Sequence, residues 1–219
     1  MSPHRFVLLE DTYGDLTGDV PLDFHLSYRG ELKATQRDPK PGSGVMTQHW
    51  PLKHVMRLDF HRQLKTVWNT HPRLSQKKSE IGSMLNVDTL ARGYSIPPWS
   101  FVPLVTQELQ VFCGIDVVLL RLDHPGSSIW SGDMDNRLKT IIDALEIPGA
   151  NCGYANDIPS DPPNNPLYCL LANDRLLTRA SVETDRLLYA PSGADQSYAE
   201  VTIRVRIKPE NVTLLNLGL

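Results

Sequence analysis

The sequence predicts an α+β fold, a mixed β-sheet packed with helices. Three observations lead there. Apolar residues recur at helical spacing in two places, at Met56, Phe60, Leu64 and Val67 and again at Leu138, Ile141, Ile142 and Leu145. Stretches of strand chemistry stand at "PLDFHLSYRGEL", "LQVFCGIDVVLLRL", "LLTRASVE" and "YAEVTIRVRIK". There is no internal repeat, and 219 residues with 41% hydrophobic content suffice for one sizeable core, so residues 1–219 are read as a single elaborated domain.

Taken in order, the first strand spans the alternating "PLDFHLSYRGEL", and "RDPKPGSG" after it is a loop. A helix follows from Leu52 to Trp68, with Arg62 and Lys65 on a polar side, and it must stop before Pro72 because a residue preceding proline is pushed out of the α region. Residues 73–103 carry little pattern, and "YSIPPWSFVP" within them reads as a proline-broken loop. "LQVFCGIDVVLLRL" has apolar residues on both faces, as a central strand buried on both sides does. After the helix ending at Leu145, residues of about 147–168 are rich in proline, glycine and asparagine and read as an exposed insertion. The last two strands, joined through "YAPSGADQS", are expected to form a C-terminal β-hairpin; in the second, Val201, Ile203, Val205 and Ile207 alternate with Thr202, Arg204, Arg206 and Lys208.

No stretch approaches the ~20 apolar residues of a membrane helix, and the N-terminus lacks a signal peptide's apolar core, so a soluble cytoplasmic protein is expected. Cys113, Cys152 and Cys169 are odd in number and widely spaced, which fits neither a zinc site nor a disulfide framework. The net charge is -3, yet between Arg29 and Lys78 eleven Lys and Arg face only Glu31, Asp38 and Asp59. Tyr28, Trp50, Phe60 and Trp68 lie in the same window, a mixture of cations and flat rings suited to nucleic acid. Arg57, Arg62 and Lys65 are its candidate contacts, and Arg204, Arg206 and Lys208 are the alternative surface.

The most informative string is "SGDMDNRLKTIIDAL". In an extended segment Asp133 and Asp135 point the same way, and two adjacent carboxylates repel unless water, cations or a divalent metal offset the charge. Asp135 also suits the N-cap of the helix that follows. Asn136, Lys139 and Asp143 then share its polar flank, which places an amide and an ammonium beside a candidate Mg²⁺ site. Lys139 could instead pair with Asp143 one turn on. The histidines show no metal-ligand spacing.

The pattern "DMDNRLKTIIDAL" resembles the helix motif of the RusA-like Holliday junction resolvases, an Asp-x-Asp-Asn-x-x-Lys-x-x-x-Asp-Ala-Leu string. The likeness covers roughly Gln110 to Lys208, and residues 73–103 have no counterpart in it. It implies a Mg²⁺-dependent endonuclease, with Mn²⁺ substituting, that resolves branched DNA as a homodimer. Asp133, Asp135 and Asp174 become the metal-binding carboxylates and Lys139 the catalytic lysine, with Asn136 and Arg137 beside the DNA. Asp157 and Asp161, in the loop before Asp174, are the alternatives for the third acid. Two other readings keep the fold: a nuclease for flap, single-stranded or RNA substrates, and a catalytically silent DNA-binding module.

Overall fold

A computed structural model describes residues 22–33, 50–122, 133–149, 164–213 and 216. In chain order these form β1 (Asp23–Glu31), α1 (Trp50–Thr70), α2 (Pro72–Lys77), α3 (Val87–Gly93), β2 (Ser95–Ile96), β3 (Trp99–Val105) and β4 (Val111–Arg121). Then come α4 (Asp133–Leu145), β5 (Leu167–Leu171), a 3₁₀ turn (Asp174–Leu176), β6 (Leu177–Arg186) and β7 (Tyr198–Pro209). One sheet has the order β1-β7-β4-β6, with β7 antiparallel to both neighbours and β4 parallel to β6. The other has the order β2-β3-β5, antiparallel then parallel. Mixed sheets packed with helices make this an α+β fold.

The alternation in β7 sets the inner face. Val201, Ile203, Val205 and Ile207 are buried there, beside Ile115, Val117 and Leu119 of β4 and Leu26 and Tyr28 of β1. α1 lays Met56, Phe60, Leu64 and Trp68 into the same core, each such side chain stabilising by about 1.5–3 kcal/mol on full burial. The buried line advances in steps of four and so ends on Trp68, while Val67 is only half-buried. α1 stops at Thr70, and Pro72 starts α2, where its missing amide costs nothing.

Four expectations are corrected. β6 and β7 are not a hairpin: they lie on opposite sides of β4, which takes the pairing that each would have offered the other. β4 is central in its sheet but fully buried on one face only, since its burial alternates along the strand and Val118 on the other face is 38% exposed. "YSIPPWSFVP" contains β2 and most of β3; β2 covers only Trp99 and Ser100, so at Pro103 the strand has β5 as its single neighbour and tolerates a residue without an amide donor. The insertion expected at about 147–168 ends inside β5, whose five residues are all buried. The loop "RDPKPGSG" and residues 150–163, with Cys152, Asp157 and Asp161, lie outside the described residues. Cys113 and Cys169 are buried free thiols, both pushed up to about 12 by burial. No helix among the described residues is long and apolar enough to cross a membrane.

α1 and β5 are joined by a histidine. The Tyr168 amide donates to His61 Nδ1 at 2.9 Å, and burial, aided by Lys65 and Arg62, lowers the His61 pKa from 6.5 to about 4. The folded protein thus resists a proton that the unfolded chain accepts. The stability that His61 contributes is complete above pH 6.5 and is lost as the pH falls towards 4. In urea titrations at pH 7 and pH 5, His61→Gln, which keeps an acceptor but does not titrate, should shrink the wild-type loss of stability by about 1 kcal/mol. An unchanged difference between the two pH values would show that His61 is not the titrating group.

Candidate functional site

α4 is held along its length by side chains that satisfy backbone groups. At its C-terminal end the amide of Ile147, which a continuing helix would direct to Asp143, donates to the Leu171 carbonyl instead. Arg57 fills the gap: Nη2 donates to the Asp143 carbonyl at 2.6 Å and Nε to the Glu146 carbonyl at 3.3 Å. Those carbonyls form the negative end of the helix dipole, so a cation there is favoured twice over. Lys53 adds an ion pair to the Asp143 carboxylate at 2.7 Å. Nearer the N-terminal end, Arg137 donates to the Leu32 carbonyl, and the Thr140 hydroxyl lies between the carbonyls of Asn136 at 2.9 Å and Lys33 at 3.4 Å.

These bonds decide which motif residues remain outside. Asp135, Asn136 and Lys139 are exposed, whereas Leu138 and Ile142 are half-buried and Ile141 and Leu145 are buried. Among the described residues neither Asp135 nor Lys139 forms an ion pair. Asp143, the other partner open to Lys139, is engaged by Lys53. The backbone differs from the expected one at the aspartates: the helix already includes Asp133, so Asp135 sits inside the first turn and is not its N-cap. Helical positions two apart diverge by about 200°, unlike those of an extended segment. The Asp133 side chain lies outside the description.

Two of the expected nucleic-acid contacts are structural. Arg57 is 3% exposed and Arg137 8%, and both guanidinium groups are directed at backbone carbonyls, which withdraws them from any phosphate. Arg62 and Lys65 are exposed on α1, with Arg62 3.2 Å from Asp59. On the open face of the larger sheet, Arg204 pairs with Asp23 at 2.6 Å and Arg206 with Asp116, so much of that cationic surface is already matched.

Asp174 is exposed in the 3₁₀ turn, capped by the side chain of Asn173. It stands near Glu146, about eleven helical residues or roughly 16 Å along α4 from Asp135. Sequence reasoning passed over Glu146, which follows the helix without any motif of its own. Its carboxyl is raised above the usual range by burial and then by the charge of Asp174, against the opposing effects of the Asp174 amide and Arg57. A cavity of about 310 Å³, lined in part by Tyr94, Gln107, Glu108, Asn173 and Arg175, opens beside Asp174. Among the described residues no group of three His, Cys, Asp or Glu side chains is placed to hold a metal.

No family model, curated protein or solved structure matches the chain.

Arg57→Ala removes the donor from two carbonyls at the end of α4. It should cost about 2–4 kcal/mol in chemical denaturation, and Arg57→Lys should recover only part of this because an ammonium lacks the forked geometry. A loss below ~0.5 kcal/mol for Arg57→Ala would show that the helix end is satisfied by other groups.

Proposed function

We propose that this chain is a Mg²⁺-dependent endonuclease acting on branched DNA, the activity implied by its resemblance to the RusA-like resolvases. The observation that carries the reading is the sorting of the motif on α4. Its apolar and tethering residues face the protein, while Asp135, Asn136 and Lys139 face solvent, the two charged groups without ion-pair partners among the described residues.

The donor chemistry fits the ion. Mg²⁺ takes oxygen ligands, typically one or two carboxylates, and keeps several waters. Asp133 and Asp135 would hold it once the first residue of α4 unwinds, a change that a helix end makes at little cost. Bound there, the ion would supply Lewis acidity and a water of lowered pKa; Mn²⁺ offers the same chemistry. Lys139, one turn beyond Asp135, would neutralise charge developing on the phosphate under attack. Arg62, Lys65 and Asn136 are the exposed groups available for the DNA backbone. Paired nicks in a four-way junction call for two equivalent sites, which a two-fold homodimer provides. Asp174 is not among the ligands assigned here, because it stands beside Glu146 at the other end of the helix. That separation is also the one observation favouring a second reading, a DNA-binding module without catalysis.

Asp135→Asn should abolish Mg²⁺-dependent nicking while leaving junction binding intact or tighter, since it removes a negative charge facing the phosphate. Lys139→Ala should lower turnover by at least ~10² with little change in thermal stability. Nicking by Asp135→Asn at the wild-type rate would overturn the metal assignment. Binding without nicking by the wild-type chain would establish the silent module.

A further inference from the structure

The two edges of the larger sheet are finished differently. On β1 the side chain of Gln63 closes the edge by bonding one residue twice: its Nε2 donates to the Ser27 carbonyl at 2.7 Å and its Oε1 accepts the Ser27 amide at 2.9 Å. β6, ten residues long, pairs among the described residues with β4 alone. Thr178, Arg179, Ala180, Glu183, Asp185 and Arg186 along it are exposed. Its one irregularity is at Thr178, which is extra between the pairs Cys113–Leu177 and Gly114–Arg179; from Arg179 to Arg186 the edge is regular, holds no proline and has no strand partner beyond β4 among the described residues, which makes it a template for another strand.

We propose that β6 pairs antiparallel with β6 of a second copy of this chain, about a two-fold axis at Val182. The order of charges along the strand selects this partner. A cation, Arg179, comes first, and the acids Glu183 and Asp185 follow. Antiparallel pairing centred on Val182 sets Arg179 of each copy opposite Asp185 of the other and diagonal to Glu183, within reach of a long side chain. Ser181 faces Glu183, and the two Val182 side chains meet.

A register centred on Ser181 keeps Arg179 opposite Glu183 but leaves Asp185 opposite Leu177, and the remaining alignments lose the match. Parallel pairing in register would place Arg179 on Arg179 and Glu183 on Glu183. An antiparallel register centred one residue later, on Glu183, sets Glu183 against itself, and like charges directly opposite are destabilising. A register shifted by one residue would join the open face of one copy to the core face of the other.

Arg179, Ser181 and Glu183 lie level with Gly114, Asp116 and Val118 of β4, on the open face, and Val182 lies level with Val117 on the buried face. A two-fold axis perpendicular to the sheet therefore continues both faces into eight strands and keeps both α4 helices on one side. Arg179 is free to turn outward: its side chain is 61% exposed and its contact to Asp116 is 3.3 Å, while Asp116 retains Arg206 and the hydroxyl of Ser181. The pairing deepens the two-fold assembly named under the proposed function and rests on that reading only for its purpose.

Sedimentation equilibrium of the full chain should find a dimer. Arg179→Asp, which sets acid against acid, should weaken self-association by at least ~10-fold. The charge swap Arg179→Asp with Asp185→Arg should restore it, although the contact to Asp116 stays lost, so recovery cannot come from repair of the fold. Val182→Cys should give a disulfide-linked dimer under mild oxidation, whereas Thr178→Cys, opposite Arg186 in this register, should not. A monomeric wild type, a dimer indifferent to Arg179→Asp, or equal cross-linking at both positions would overturn the pairing. Mg²⁺-dependent nicking of single sites, measured on the same samples, reports on the nuclease reading independently.

Discussion

The bond from Arg57 to the last carbonyls of α4 is the constraint on which the candidate site depends. A helix that ends against a buried strand must find donors for its final carbonyls, and the chain has already committed the Ile147 amide to Leu171. Arg57 supplies two donors from α1, the same helix whose Met56, Phe60, Leu64 and Trp68 form much of the core. Core packing and the orientation of α4 are thereby coupled through one side chain. With Arg137 and Thr140 fixing the other half of the helix to Leu32 and Lys33, rotation of α4 would break bonds at both ends. The outward direction of Asp135 and Lys139 follows from this clamp more than from their own contacts.

The parts of the fold legible in the sequence are those where one periodicity acted alone. β7 alternates without interruption, and both long helices carry stripes that the core uses, so their positions followed from the residues. The sheet order did not. Strands next to each other in sequence favour a hairpin locally, but β4 presents two open edges and takes both β6 and β7, a non-local choice that no local pattern records. β5 and β3 were obscured for another reason. Each is a short apolar run beside several prolines, and a strand with one neighbour can hold Pro103 where a central strand could not.

At the candidate site, the helix itself and the exposure of 136 and 139 were legible, because those polar positions are separable from the apolar stripe by spacing alone. It misjudged the arginines. Arg57 and Arg137 look like phosphate contacts in a basic segment, and only the tertiary structure shows that backbone carbonyls claim them. Glu146 went unnoticed because its character comes from burial and from Asp174, twenty-eight residues later in the chain. Local order also changed the expected geometry of the aspartates, since a helix beginning at Asp133 separates positions that an extended strand would align.

The proposed activity thus rests on a helix held from within and charged on its outer side. The most direct measurement is incubation of the full chain with a labelled synthetic four-way junction, with Mg²⁺ or with a chelator, resolved on a denaturing gel. The proposed activity predicts paired nicks placed symmetrically across the junction in Mg²⁺ and none with the chelator. An intact junction at saturating protein in Mg²⁺, or cleavage that persists with the chelator, would contradict it.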